Sequence, residues 1–172
     1  LVGRQPWNTD AKIGWLLLLS AAPAAIAATL FESFLLKLGD RIEIIAIGLA
    51  FFGLLLWFVD SQARSKRSFR DFSGRDAIKM GTAQSLALLP GVSRSGIAIT
   101  VARMTGYDRP HAARLAFLMG IPIIAGAGLH RSYGVLSEGL PDGMWPALIT
   151  GMLTAAITGW VALRFTLRWV QS

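Results

Sequence analysis

The sequence predicts an all-α polytopic membrane protein with about four transmembrane helices and one re-entrant pair of short helices. Three observations carry this prediction. The 172 residues are 53% hydrophobic, and the mean hydropathy is +0.52, too apolar for an ordinary soluble domain. The charges cluster in short stretches between apolar segments long enough to cross a hydrocarbon core of roughly 30 Å. Between two apolar arms that are each too short to cross it stands the polar turn Leu88-Leu-Pro-Gly-Val-Ser-Arg-Ser-Gly96.

Residues 1–12 form a polar lead-in, and Trp7 and Trp15 stand where interfacial anchors belong. Residues 13–31 make about one span. Its Pro23 is tolerable because neighbouring groups in a membrane bundle can satisfy the freed carbonyl. Residues 32–43 read as a short mixed-charge connection, in which Glu32 either faces a site or is solvated. Residues 42–59 are the second span, with Trp57 at its exit. Residues 60–79 hold Arg64, Lys66, Arg67, Arg70, Arg75 and Lys79 against Asp60, Asp71 and Asp76. Such a run reads as a solvated loop, and short Lys/Arg-rich loops stay cytoplasmic.

The re-entrant element spans 77–104. At about 1.5 Å per residue neither arm crosses the core alone. Short apolar helices meeting at a Pro/Gly/Ser/Arg turn are the form that broken helices take at membrane depth. Pro90 cannot continue the first helix and biases Leu89 away from helical geometry. Ser93 or Ser95 can cap the second helix, whose free N–H groups and positive dipole end then lie beside Arg94. That combination is an anion site suited to phosphate. The alternative is a Pro-kinked helix with a snorkelling Arg and structural serines.

After this element Arg103, Arg109 and Arg114 surround Gly106–Pro110. Residues 112–129 form the third span, with Pro122 near its middle. Residues 130–144 are poor in cations and read as an outside loop. Residues 145–165 form the last span, where Gly151, Ala155 and Gly159 recur at four-residue spacing as a close-packing face. All of 1–172 is expected to be one membrane domain.

Several chemistries fail on the residues. There is no cysteine, hence no disulfide framework and no thiolate chemistry. The net charge of +7 sits in loops beside spans, not on a basic face of a soluble fold, which argues against nucleic acid as a partner. No P-loop pattern occurs. One class of membrane lipid phosphatases carries Ser-Arg, five intervening residues and then His; after Ser93-Arg94 that position is Thr100. His111 and His130 lie about one span apart and read as interfacial residues. No metal-ligand cluster is evident in the segment.

The run Gln84-Ser-Leu-Ala-Leu-Leu-Pro-Gly-Val-Ser-Arg-Ser-Gly96 resembles the second signature of the undecaprenyl-diphosphatases, the bacitracin-resistance family. The likeness continues through Ala112–Pro122, reaches back to Leu18–Pro23 and covers nearly the whole chain. The family's earlier signature, Glu/Gln-x-x-x-Glu followed by Pro-x-Ser-Ser-Thr-Gly-His, has no counterpart here. The start Leu-Val-Gly-Arg-Gln-Pro has neither an initiator Met nor a signal-peptide pattern. The expectation is therefore a segment resembling the last two-thirds of such a protein, half of an inverted-repeat bundle.

The resemblance implies hydrolysis of undecaprenyl diphosphate to the monophosphate, which recycles the cell-wall lipid carrier and confers bacitracin resistance. It places the chain as a multi-pass protein of the bacterial inner membrane. Arg94 is expected to clamp the diphosphate, with Ser93 and Ser95 donating hydrogen bonds. Gly91 and Gly96 would let backbone N–H groups approach, and Gln84 would face the opposing loop. A divalent cation, Mg²⁺ or Ca²⁺, is expected to take its ligands from the absent repeat, with none from this segment. The partners are a polyprenyl diphosphate lipid and the membrane, with a homodimer open as a further assembly. The nucleophile stays open between a serine, water and a hydroxyl from the absent loop. Two rival readings are a flippase binding a polyprenyl phosphate without cutting it, and a non-catalytic module whose basic loops hold anionic lipid.

Overall fold

The computed structural model of the chain describes residues 9–39, 41–141 and 143–171, and it is all-α. Trp7, Asp40 and Asp142 lie outside the described residues, as does the side chain of Glu32. Helix α1 runs Thr9–Gly39 and α2 runs Ile42–Gln62. After a linker containing a short 3₁₀ turn at Phe69–Asp71, α3 (Gly74–Ser85) and α4 (Arg94–Met104) form a hairpin. Helices α5 (Arg109–Glu138) and α6 (Met144–Gln171) come next. Four of the helices contain stretches long and apolar enough to cross a membrane: Asp10–Phe31, Ile42–Gln62, Arg109–Ser137 and Met144–Trp169. Most of their large apolar side chains are exposed, Trp57, Leu129 and Trp169 among them. That outward apolar surface is what a lipid solvent tolerates and water does not.

Two stretches read as connections are helical. The mixed-charge segment after Phe31 continues α1 to Gly39, and α5 continues past Leu129 to Glu138. Helical hydrogen bonding does not stop where hydropathy falls, so apolar windows mark the membrane-crossing part and not the helix ends. Pro23 and Pro122 both lie inside their helices.

The chain divides into two compact units, one ending at Ile123 and one starting at Ile124. The first holds the core. Ile13 of α1, Phe72, Ala77 and Met80 of the linker and α3, Ala98 and Ala102 of α4, and Leu115 and Met119 of α5 form one buried cluster. Small residues make the close approaches. A Cβ on Gly81 would collide with the carbonyl oxygen of Ser20, so α3 lies backbone to backbone on α1. In the second unit, α6 carries Thr150, Thr154 and Thr158. Each hydroxyl bonds a carbonyl one turn back, which hides its polarity within the helix.

Candidate anion site at the hairpin tip

Helix α3 ends because its last turn tightens into a 3₁₀ segment, Leu86–Leu88, ahead of Pro90. Leu89 is extended, with φ −71° and ψ 137°, as a residue before proline must be. The Val92 N–H bonds the Leu89 carbonyl at 3.2 Å, and Gly91 has φ +86°. Pro at the second position and a left-handed Gly at the third define a type II turn. The turn rests on α2: a Cβ on Gly91 would collide with the Ile45 carbonyl oxygen, and one on Gly48 would lie 2.9 Å from that of Pro90. Gly91 is therefore spent on the approach to α2.

Ser93 is the N-cap of α4. It is extended (φ −70°, ψ 120°), and its Oγ accepts from the Gly96 N–H at 3.2 Å. A Cβ on Gly96 would lie 3.1 Å from Ser93 Cβ, a tight approach at the cap. The Gly96 amide is committed to that cap and is not free for a ligand. The amides of Arg94 and Ser95, at the first two helical positions, have no acceptor among the described residues. Ser95 Oγ lies 3.4 Å from Ser93 Oγ. Arg94 is half-buried and makes no ion pair or hydrogen bond with any described residue. A helix N-terminus with two open amides, two hydroxyls and an uncommitted guanidinium can bind a phosphate group.

Gln84, the sixth residue expected at the site, is the penultimate residue of α3. It is buried, at 2% exposure, and neither its Nε2 nor its Oε1 has a partner among the described residues. The structure thus gathers Gly91, Ser93, Arg94, Ser95 and Gly96 at one turn and encloses Gln84 in the interior below it. No described group of three His, Cys, Asp or Glu residues stands close enough to hold a metal. The tip offers amides, hydroxyls and a cation, a donor set that suits an anion and does not by itself fit a divalent metal.

At the opposite end of the hairpin the linker of residues 60–79 is not a solvated loop. Asp60 receives Arg103 Nε at 2.6 Å and Arg109 Nη2 at 2.8 Å. Arg103, buried at 4% exposure, also donates to Ser65 Oγ and to the Tyr107 carbonyl. Asp76 is chelated by Arg67 through two N–H donors at 3.0 and 2.6 Å. It also accepts from Ser73 Oγ and from Tyr107 Oη at 3.0 Å. Burial pushes the Asp76 carboxyl up, but bonds from Arg67, Ser73 and Tyr107 outweigh it and hold the pKa at about 2. Tyr107 is raised by its burial and by the carboxylate it faces. Local signals for part of this latch do exist. Ser73-x-x-Asp76 and Ser68-x-x-Asp71 are capping boxes. The pairing of Asp60 with Arg103, 43 positions away, leaves no local trace.

A sequence profile described as the bacitracin resistance protein BacA matches residues 2–172. Among curated proteins, the chain is similar to an undecaprenyl-diphosphatase of Moorella thermoacetica, 40% identical over 167 residues, covering 97% of this chain and 62% of the relative. One from Pelobacter propionicus is 40% identical over 161 residues, covering 93% and 59%. One from Geotalea daltonii is 39% identical over 173 residues, covering 98% and 64%. The chain spans about three-fifths of the length of the curated relatives it matches.

Proposed function

The chain belongs to the bacitracin resistance protein BacA family, and on that premise we propose that its hairpin tip binds the diphosphate of undecaprenyl diphosphate in a membrane phosphatase. The reaction releases phosphate and undecaprenyl phosphate, which returns the lipid carrier to cell-wall synthesis. We place the protein in the bacterial plasma membrane, as one membrane domain. The observation that carries the reading is Arg94. Arg67, Arg103 and Arg109 are all bound to carboxylates, whereas the guanidinium at the turn has no carboxylate partner among the described residues and stands beside two open amides. An uncompensated cation among apolar helices is costly unless an anion comes to it.

In this reading Arg94 clamps the diphosphate through two N–H donors and stabilises charge gathering on the transferred phosphoryl group. Ser95 Oγ and the amides of Arg94 and Ser95 donate to its oxygens. Ser93 holds α4 in register through its cap and turns its hydroxyl toward Ser95, while Gly91 and Gly96 permit the turn. Gln84 supplies an uncommitted amide beneath the tip, and an unpartnered buried amide is rare enough to suggest a function. A divalent cation, Mg²⁺ or Ca²⁺, would neutralise phosphate charge when bound, and its ligands would come from outside this segment. A homodimer through the Gly151, Ala155 and Gly159 face of α6 is part of the same proposal.

Depth supports access from the face opposite the basic linker. The tip touches α2 at Gly48, twelve residues before Asp60, or about 18 Å along the helix axis. That is past the middle of a core of roughly 30 Å. A hairpin whose base stays with the cytoplasmic loops would thus deliver Arg94 toward the outer half.

The test is phosphate release by the full-length protein carrying this segment. Arg94→Lys keeps the charge but loses the planar two-donor fork. Turnover is expected to fall about 100-fold, equivalent to about 2.7 kcal/mol of transition-state stabilisation, and further for Arg94→Ala. Turnover within threefold of the parent for both variants would remove the clamp assignment.

A further inference from the structure

The outer side of the hairpin carries a groove of about 700 Å³ between α3 and α4. Its walls are apolar, formed by Ile78 and Leu86 on α3 and Val101 and Met104 on α4. Ile78, Leu86 and Met104 are exposed at 56, 43 and 67%. Because α3 runs from base to tip and α4 returns, Lys79 and Thr105 mark the base end and Leu86 the tip end. Lys79 is exposed and makes no ion pair with a described residue. It continues a basic face that the latch creates. Asp60 and Asp76 are both paired with arginines, while Arg64, Lys66, Arg70 and Arg75 are exposed and have no carboxylate partner among the described residues. The exposed surface of the linker therefore carries Arg64, Lys66, Arg70 and Arg75 against Asp71 alone.

We propose that this groove holds an anionic phospholipid. Its headgroup phosphate lies on Lys79 at the edge of the basic face, and one acyl chain runs between α3 and α4 toward Leu86. The volume falls in the range of ordinary ligand clefts, and the site is amphipathic in the required order. Lys79 lies five residues into α3, about 7.5 Å from its start, from where its long side chain reaches the headgroup layer by snorkelling. The groove is on the hairpin itself and is separate from the tip, so its occupant differs from the diphosphate substrate and would steady the element that presents Arg94. This inference does not depend on the phosphatase reading.

Residues 1–172 contain no cysteine, so Thr82→Cys, on the groove's rim, made in a full-length protein cleared of any cysteine outside this segment, carries a fluorophore at one known place. The measurement is its quenching by spin-labelled phosphatidylglycerol and spin-labelled phosphatidylcholine in nanodiscs holding the full-length protein. The expected result is about fivefold preference for phosphatidylglycerol, the contribution of one cation at a membrane surface. The preference should fall to near parity in Lys79→Gln and at high salt, and be retained in Lys79→Arg. Equal quenching by the two lipids, or a preference that survives Lys79→Gln, would overturn the proposal. So would a residue 82 that neither lipid quenches, which would mean that protein covers the groove.

Discussion

Gly91 is the residue on which the site's position turns. Its φ of +86° belongs to the region that side chains avoid, and a Cβ there would collide with the Ile45 carbonyl. Gly91→Ala should therefore cost more than the roughly 1 kcal/mol of the left-handed conformation alone, because the tip must also lift off α2. The expected outcome is a lower midpoint of thermal unfolding together with a loss of phosphate release larger than that of Gly126→Ala. Gly126 lies in α5 with nothing within 4 Å of its would-be Cβ, which makes it the control. Residues of the tip were legible in the sequence because turn chemistry is local: Pro fixes one angle, Gly supplies the left-handed one and Ser caps the next helix. Gly81 was not legible in the same way. Its partner is the Ser20 backbone on another helix, and no local pattern encodes that contact.

At the scale of the hairpin, the tip is presented by a base held with charge. Asp76 is buried, bonded to Arg67, Ser73 and Tyr107, and titrates at about 2 in the folded chain against an ordinary 3.8. The unfolded chain therefore binds more protons between these values. The resulting stabilisation is fully present above about pH 4 and is lost as pH falls toward 2. Its size is roughly 2 kcal/mol. Asp76→Asn should lower stability at pH 7 by about that amount or more, since it also leaves Arg67 with a weaker partner. The gap between variant and parent should narrow when unfolding is followed from pH 6 down to pH 3; a gap independent of pH would show that the carboxylate charge plays no part. The sequence suggested only a solvated linker here. Charge counting over residues 60–79 cannot distinguish a loop in water from one whose Asp60 is clamped by Arg103 of α4 and Arg109 of α5.

For the whole molecule, the four apolar helices and the hairpin were legible because lipid demands long apolar runs and because a broken helix needs breaker residues. Topology is a prediction still to be measured. A Cys replacing Arg70, which is exposed and outside the latch, should react only with reagent on the cytoplasmic side, and a Cys at Ser137 only from outside. Arg70 serves better than Ser65, whose hydroxyl is bonded to Arg103. The reverse labelling would put the hairpin's entry on the outer face. The last expectation concerns sufficiency. The tip supplies donors and a cation, which account for binding, but cleavage also needs charge neutralisation and an activated attacking oxygen. The carboxylate nearest the tip along α2 is Glu43, two residues before Ile45, and its side chain is exposed. Asp60, Asp71, Asp76 and Asp108 belong to the base. Residues 1–172 purified in detergent should therefore bind a diphosphate lipid yet release no phosphate with Mg²⁺ or Ca²⁺. Co-expression with a segment carrying the family's first signature should restore release. Metal-dependent release by residues 1–172 alone, lost in both Arg94→Ala and Glu43→Gln, would show instead that α2 and the tip together make a complete site.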